Sequence, residues 1–272
     1  MNKNIYSQEE TNLHTHSFYC GHGTGTIMQY TKEALQSGLA LLGFSEHCPV
    51  EDDRWKKSRM KQEQIPLYEQ DCQEAKVQYD GKLHILTGYE CDYLRQYDSY
   101  YASVKERVDY LVCAIHDLSE DLNQEYSVFW NRLSKKDLAA YADMYCSALS
   151  SGLFLFGAHP DVFAYNYFSW DAETEAISKA IIECAVANDV ALEINANGMR
   201  KRMVGSRYPY PLTEFWNIAK EYPLKVVTNS DAHAPFEIRS GRDECFSLAQ
   251  EHNLQFVSYQ VDDQTGLTLI AP

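Results

Sequence analysis

Seven short apolar stretches of this chain are each followed at once by residues that can bind a metal ion. Leu41-Leu42-Gly43-Phe44, for example, leads into Ser45-Glu46-His47, and helical patterns separate most of the stretches. This alternation predicts parallel β-strands joined by α-helices. Because ligand-type residues follow nearly every strand, we favour a closed barrel, which gathers them at its carboxyl rim, over a doubly wound open sheet, which would concentrate them at one switch point. The predicted strands lie around Leu13 and at 41–44, 83–88, 110–115, 153–158, 190–194 and 224–227.

The composition is that of a folded, acidic protein, for which we expect a single domain over residues 1–272. Lysine and arginine total 24 against 39 acidic residues, and the net charge of -15 disfavours binding to long nucleic acid or to anionic membranes. Residues 1–10 lack the layout of a signal peptide, and no apolar run reaches the roughly 18 residues of a membrane span. We therefore expect a cytoplasmic protein.

The eight cysteines are scattered, and none of them forms a C-x-x-C pair. This spacing argues against a disulfide framework and against a structural zinc site built from thiolates. We expect reduced thiols. Residues 50–64 are highly charged and irregular, which predicts a solvated loop, and the basic segment 199–211 is expected to be a loop as well.

Seven of the nine histidines fall at or just past a predicted strand end, whereas His84 and His252 do not and are expected to be structural. Side chains at i and i+2 of a strand share a face, so His14 and His16 can address one ion. These imidazoles and their neighbouring carboxylates exceed the ligands of one zinc site, so at least two metals are predicted, with Zn, Fe or Mn as the suitable ions. The residues at strand ends are His14, His16, His22, Glu46, His47, Glu90, His116, His159, Asp161, Asp231 and His233.

The order of these motifs resembles that of the polymerase and histidinol phosphatase (PHP) superfamily, and most of all its histidinol-phosphate phosphatase branch. The resemblance runs from His14 to about Gly241 and includes the loop at 18–23 and the segment 192–201. One departure is Asn12, which stands where the family often has an acidic residue and which can still orient His14. The motifs that carry the resemblance are His14-Thr15-His16, His22, Ser45-Glu46-His47, Gly88-Tyr89-Glu90, His116, His159-Pro160-Asp161 and Asp231-Ala232-His233.

The resemblance implies a distorted seven-stranded (β/α)7 TIM-like barrel, the PHP fold, with a trinuclear site of two to three divalent ions. His14, His16, Glu90 and Asp231 would bind the first metal. The second would take Glu90 as a bridge, together with His116 and His159. The third would be bound by His22, His47 and His233.

Arginine presents a fork that matches phosphate, which makes Arg200, Arg207 and Arg239 candidates for contacts to a substrate phosphate. Lys201 and Arg202 are expected to be solvated. Asp161 is a candidate acid for a leaving alcohol or a group that steadies a ligand. Glu46 is a candidate for orienting His47 or for contacting the amine of a substrate.

The implied activity is hydrolysis of L-histidinol phosphate in histidine biosynthesis, by attack of a metal-bridging hydroxide on phosphorus. The chain lacks the G-x-x-x-x-G-K-[ST] loop of nucleotide triphosphatases. One alternative keeps the metals but changes the substrate to nucleotides or short oligonucleotides. Another is a catalytically silent barrel whose metals stabilise a binding module. In the leading interpretation the partner is a small phosphate ester, and the sequence leaves the oligomeric state open.

Overall fold

The computed structural model describes residues 4–121, 123–203, 210–262 and 266–271. The described β-strands are Asn4–Tyr6 (β1), Thr11–Asn12 (β2), Leu41–His47 (β3), His84–Asp92 (β4), Tyr110–Ala114 (β5), Phe156–Gly157 (β6), Ala191–Asn195 (β7), Val226–Asn229 (β8), Ser258–Asp262 (β9) and Gly266–Ile270 (β10). The described α-helices are Ile27–Gln36 (α1), Ile65–Gln78 (α2), Asp98–Lys105 (α3), Lys135–Ser150 (α4), Ala172–Ala187 (α5), Ala196–Met203 (α6), Thr213–Ala219 (α7) and Arg242–Glu251 (α8).

Strands β2 to β8 form one parallel sheet in chain order, and helices occupy most of the connections. Just past the ends of β2 and β8, Thr15 pairs with Ala232 in a parallel bridge, which nearly closes the sheet at its carboxyl end. The predicted seven-stranded barrel is therefore confirmed.

The strands are apolar because both of their faces are covered. Every residue of β3 is buried, as expected of a parallel strand with packing on each side. Leu41 packs with Leu13 and Val112 in a cluster of strand residues, whereas Phe44, three residues further along the strand, packs outward against Tyr30 of α1. Successive side chains of one strand thus serve two apolar layers.

Three sequence expectations about local structure need correction. The fifth predicted strand, at 153–158, is only two residues long. The basic segment begins as helix α6 instead of a loop, and residues 204–209 lie outside the described residues. The segment 50–64 is not simply solvated, because Arg54, Trp55, Arg59 and Met60 are buried.

The sequence did not predict a second, antiparallel sheet in which β9 pairs with both β1 and β10. This sheet packs at the amino ends of the barrel strands. The hydroxyl of Tyr6 lies 3.1 Å from Nδ1 of His84, the first residue of β4, and Tyr259 packs with Leu41. His84 therefore stands at the end of the barrel opposite the clustered histidines, in the structural role expected for it. None of the described helices is long and apolar enough to cross a membrane.

Candidate metal centre

The nine predicted metal ligands converge at the carboxyl end of the barrel. His47 ends β3 and Glu90 lies near the end of β4, while most of the others follow a strand directly. The carboxyl ends of parallel strands open on the same rim, so the fold brings together residues that are far apart in the chain. The converging residues are His14, His16, His22, His47, Glu90, His116, His159, Asp231 and His233.

The four residues expected at the first metal lie around a common point. Nε2 of His14 is 3.5 Å from Oε1 of Glu90 and 3.7 Å from Oδ1 of Asp231. Nε2 of His16 is 3.6 Å from Oε2 of Glu90 and 3.3 Å from the same Asp231 oxygen. Ligand atoms bound about 2 Å from one ion stand roughly this far apart, so the four residues fit a single metal.

Glu90 also faces the residues expected at the second metal. Its Oε1 is 3.0 Å from Nε2 of His159 and 3.8 Å from Nε2 of His116, and these two nitrogens are 3.2 Å apart. Because one carboxylate faces both groups of imidazoles, Glu90 has the position needed to bridge two metals.

The rings of His22, His47 and His233 gather beside these two positions. The centroid of His22 is 4.8 Å from that of His233 and 5.3 Å from that of His47. Nδ1 of His22 and of His233 each lie close to a backbone carbonyl, which leaves Nε2 for a ligand. His47 also stacks on His16 at 4.1 Å, and its Nδ1 is 2.7 Å from Glu90. The allocation of His47 to the third metal therefore stays a prediction.

Several donor atoms at this centre are buried and unpaired. Within the described part of the chain, Nε2 of His14 and both ring nitrogens of His16 make no hydrogen bond, and Oε2 of Glu90 has a close contact to His47 but no hydrogen bond of acceptable geometry. An unsatisfied buried polar group costs about 1–3 kcal/mol. A divalent cation would satisfy these atoms together, so the donor set fits metal ions.

The charges and the burial of the centre favour the protonation states that bind cations. Burial opposes ionisation of Glu90, but the surrounding imidazoles hold the pKa of its carboxyl well below the usual range, and the same holds for Asp231. Burial lowers the pKa of His16 to about 3 and that of His116 to about 4. Burial also disfavours the charged form of His14, but Glu193, together with the two carboxylates, outweighs it and raises the pKa. Anionic carboxylates and mostly neutral imidazoles are the forms that bind metals.

Glu193, in β7, orients His14 and was missed by the sequence reasoning. Its Oε1 accepts a hydrogen bond from Nδ1 of His14 at 2.9 Å, and the side-chain amides of Asn195 and Asn229 donate to the same carboxylate. The residue is fully buried. An acidic residue inside the apolar run Ala191-Leu192-Glu193-Ile194 was a usable signal, because a buried charge needs partners.

Asp92, at the end of β4, supports His116 in the same way. Its Oδ1 accepts a hydrogen bond from the backbone N–H of His116 at 2.9 Å and lies 3.1 Å from Nδ1 of that ring. Its other oxygen pairs with the buried guanidinium of Arg59. No local sequence pattern indicates this pairing, because Arg59 lies 33 residues before Asp92.

Buried tyrosine hydroxyls fix the backbone around the ligands. Tyr30 donates to the carbonyl of His16 at 2.7 Å, and Tyr145 donates to that of Ala158, directly before His159, also at 2.7 Å. Tyr110 holds the carbonyl of Leu13, directly before His14. Further donors of this kind are Tyr101 to Asp92 and Tyr141 to Pro160.

The two residues expected to act on the substrate, Glu46 and Asp161, are fully buried beside the centre and are bonded to neighbouring loops. Glu46 is fully buried and accepts hydrogen bonds from the N–H and the hydroxyl of Ser17, at 2.5 and 2.6 Å. Oδ2 of Asp161 accepts from the N–H of Leu212 and from Nε1 of Trp216. Both carboxylates brace loops next to the centre, and their catalytic roles stay predictions.

Two of the predicted phosphate-binding arginines make backbone contacts. Arg200 donates to the carbonyls of Ser230, Asp231 and Ser240, and Arg239 donates to that of Ser37. Arg207 lies outside the described residues.

A cavity of about 860 Å³ opens over the centre, and Glu90, His116, His159 and Asp231 form part of its lining. Its lining includes three cations from the described residues, and none of them was predicted to face the substrate. They are Lys57, Arg59 and Lys201.

Comparison with known proteins identifies a family and several relatives. The chain matches the model of the PHP domain over residues 12–197. It is 30% identical over 233 residues to the protein named "Probable histidinol-phosphatase" of Deinococcus radiodurans, covering 83% of this chain and 86% of the relative. It is 26% identical over 253 residues to the histidinol-phosphatase of Bacillus subtilis, covering 81% of this chain and 92% of the relative.

Solved structures share the fold. The histidinol phosphate phosphatase of Lactococcus lactis, in complex with zinc, L-histidinol and phosphate, gives a TM-score of 0.70 at 15% identity, over 91% of this chain and 95% of that one. A structure from Listeria monocytogenes gives a TM-score of 0.71 at 19% sequence identity, over 86% of this chain and 99% of that one. The family match and the relative at 30% identity show that the chain belongs to the PHP domain family, among its histidinol-phosphatases.

Proposed function

We propose that this PHP-family phosphatase hydrolyses L-histidinol phosphate to L-histidinol and inorganic phosphate, a step of histidine biosynthesis. The observation that carries the proposal is the set of buried, unpaired donor atoms that surrounds Glu90 beneath an open cavity. The names of the relatives from Deinococcus radiodurans and Bacillus subtilis, and the L-histidinol and phosphate bound by the Lactococcus lactis protein, support the choice of substrate.

We further propose that the centre holds two to three divalent ions, Zn, Mn or Fe. Imidazole and carboxylate ligands suit these metals, and zinc is present in the Lactococcus lactis structure. Bound ions would supply Lewis acidity, which lowers the pKa of a water nucleophile and neutralises the phosphate oxygens. The proposed ligands are His14, His16, Glu90 and Asp231 for the first ion, Glu90, His116 and His159 for the second, and His22, His47 and His233 for the third.

The chain's own side chains would keep this centre rigid and attract the substrate. Glu193 orients the imidazole of His14, and the amide of Asn195 holds its carboxylate in place. Asp92 supports His116 and pairs with the guanidinium of Arg59. Arg59 and Lys201 place positive charge in the cavity wall, where it would favour a phosphate dianion. We propose that Asp161 acts through the loop that it braces, and protonation of the leaving alcohol by Asp161 stays a prediction.

Phosphate release tests the proposal. L-histidinol phosphate, nucleoside monophosphates and a short oligonucleotide should be compared with and without Mn²⁺ or Zn²⁺. We expect metal-dependent release with a preference for L-histidinol phosphate. A preference for nucleotides would refute the substrate, and no release under any metal would favour a silent, metal-stabilised module.

A further inference from the structure

The cavity has two chemically different sides. One side is the metal centre, and the facing wall comes from the segment that follows β5. That segment contributes an acidic side chain, Glu125, and two aromatic ones, Phe129 and Trp130, to the lining. None of these three residues has a role in the centre described above.

Phe129 joins the two sides. Its ring lies 5.2 Å from the imidazole of His116, centroid to centroid, and 5.0 Å from the ring of Tyr165, which stands perpendicular to it. The side chain of Phe129 therefore continues the cavity lining from His116 of the metal centre to the segment after β5.

The side chain of Trp130 is unusually exposed to solvent for a tryptophan. It lines the cavity while 85% of its surface is exposed. Large aromatic side chains normally gain stability by burial, so a tryptophan at a cavity mouth has its face free for a ligand. An indole face attracts flat rings and cations.

Glu125 is the cavity carboxylate that is free to bind a cation. Asp92 pairs with Arg59, and Asp117 pairs with Arg54. Glu237 accepts two backbone N–H groups, and Glu90 and Asp231 belong to the metal centre. In the described parts of the chain, the Glu125 carboxylate makes neither a hydrogen bond nor an ion pair.

A buried ion pair holds the backbone around Glu125 in place. Arg54 bonds to Asp117 at 2.7 Å and donates to the carbonyl of Gln124, one residue before Glu125. The other oxygen of Asp117 accepts a hydrogen bond from the N–H of Tyr126, one residue after it, at 2.7 Å. These backbone hydrogen bonds on both sides of Glu125 hold this wall of the cavity in one conformation, which reduces the loss of entropy when a ligand binds.

We propose that Glu125, Phe129 and Trp130 form a subsite for the leaving group of the substrate. The Glu125 carboxylate binds a protonated amine, and the two rings bind a flat heteroaromatic ring. This inference rests on the proposed function and deepens it, because an amino alcohol with an imidazole ring carries both features. It assigns substrate selection to the segment after β5, apart from the residues that bind metal.

Two substrates and one inhibitor test the subsite. We expect Glu125→Gln to lower kcat/KM for L-histidinol phosphate by about 3- to 10-fold, the size of one charge-assisted contact at a partly solvated site. The loss with p-nitrophenyl phosphate, which has no amine, should be smaller. Glu120→Gln, an exposed glutamate of the same segment outside the cavity lining, is the matched control and should match the wild type with both substrates.

Inhibition by L-histidinol of p-nitrophenyl phosphate hydrolysis separates this inference from the proposed function. Glu125→Gln and Trp130→Ala should each weaken that inhibition about 3- to 10-fold, and Trp130→Phe should restore most of it. If the enzyme failed to cleave L-histidinol phosphate, the proposed function would fall, but this inhibition would still report on the subsite. Equal losses with both substrates, or unchanged inhibition, would overturn the subsite.

Discussion

Oε1 of Glu193 lies 2.9 Å from Nδ1 of His14, on the opposite side of the imidazole from Glu90 and Asp231. The contact places the ring proton on Nδ1 and leaves Nε2 free to bind a cation. Because the amides of Asn195 and Asn229 hold the Glu193 carboxylate, the ring is fixed before any ion arrives. Such carboxylate–histidine pairs also increase the basicity of the ligand.

Replacing this carboxylate should weaken metal binding without removing a ligand. We expect Glu193→Gln to lower metal affinity or activity by about 10- to 100-fold, the usual cost of losing a partner behind a ligating histidine. Metal content after dialysis and kcat at saturating metal are the measurements. Glu175→Gln, which removes an exposed pair with Lys179, is the control. Unchanged metal content in Glu193→Gln would contradict an orienting role.

The close contact of Gly157 with Tyr145 predicts a coupled stability effect. A Cβ on Gly157 would clash with the Tyr145 hydroxyl, which bonds to the Ala158 carbonyl beside His159. We expect Gly157→Ala to lower the free energy of unfolding by about 1–3 kcal/mol, as overpacking does in cores. Tyr145→Phe should cost about 1 kcal/mol for the lost hydrogen bond. Urea denaturation measures both.

The double variant sharpens this test. Tyr145→Phe removes the atom that clashes most closely with the new methyl group, so the combined loss should be smaller than the sum of the two single losses. Simple additivity would show that the methyl is accommodated elsewhere.

The barrel, and the convergence of the candidate metal ligands on one rim, were readable from the sequence because both leave local patterns. A parallel strand covered on both faces appears as a short apolar run, such as 41–44, and its carboxyl end is marked by the first polar residues after it. The run ending at His47 and the one ending near Glu90 therefore predicted which side chains meet at the rim. Confirmation of the barrel follows from this simple rule.

The supporting residues were not readable because their partners are distant or belong to the backbone. The sequence predicts that Arg200 binds phosphate, yet its guanidinium donates to backbone carbonyls 30 to 40 residues further along the chain. Arg54 looked solvated within a charged segment, but it is buried against Asp117, 63 residues later. The pairing of β1 with β9 joins the two ends of the described chain and likewise leaves no periodic signal.

The contacts of Arg200 predict how its loss differs from the loss of a phosphate ligand. Its Nη1 is 2.8 Å from the carbonyl of Ser230, and its Nη2 is 3.2 Å from that of Asp231. We expect Arg200→Gln to lower kcat and metal affinity about 10-fold by loosening Asp231. Inhibition by inorganic phosphate at saturating metal should change less, and Arg202→Gln serves as control. A larger change in phosphate inhibition than in metal affinity would instead support direct substrate binding by Arg200.

Two buried imidazoles make the stability of the metal-free protein depend on pH. Burial lowers the pKa of His16 to about 3 and that of His116 to about 4. In the unfolded state a histidine has a pKa of about 6.5. Between about pH 6.5 and 4, therefore, His16 and His116 are largely protonated in the unfolded state and largely neutral in the folded state. Their contribution to stability is thus fully present above pH 6.5 and is lost as the pH falls towards their folded pKa values. His14, whose pKa is raised, is protonated in both states below pH 6.5 and adds no slope there.

Urea denaturation of the metal-free protein from pH 7 to pH 4.5 tests this dependence. We expect the free energy of unfolding to decrease with falling pH, and the slope to become shallower in His116→Asn by up to about one proton. A slope identical to that of the wild type would show that His116 does not titrate abnormally in the folded state.

Asp231 combines a ligand position with a backbone conformation that few residues adopt. Its φ is +46°, and its Oδ2 accepts hydrogen bonds from the side-chain amides of Asn195 and Asn197 at 3.2 and 3.1 Å. Such left-handed geometry in a residue other than glycine costs about 1–3 kcal/mol, and the surrounding contacts must offset it. Oδ1, 3.3 Å from Nε2 of His16, is left to face the proposed position of the first metal.

Removing this carboxylate should therefore abolish turnover while the fold persists. We expect Asp231→Ala to reduce kcat by about 1,000-fold or more, because in the proposed mechanism the nucleophile and the phosphate would both depend on an ion that Asp231 would help to hold. Metal analysis should show at least one ion fewer per chain than in the wild type, with circular dichroism unchanged. Asp80→Ala, at an exposed aspartate just after α2, should retain full activity and full metal content. A fully active Asp231→Ala enzyme would show that the first metal site is wrongly assigned.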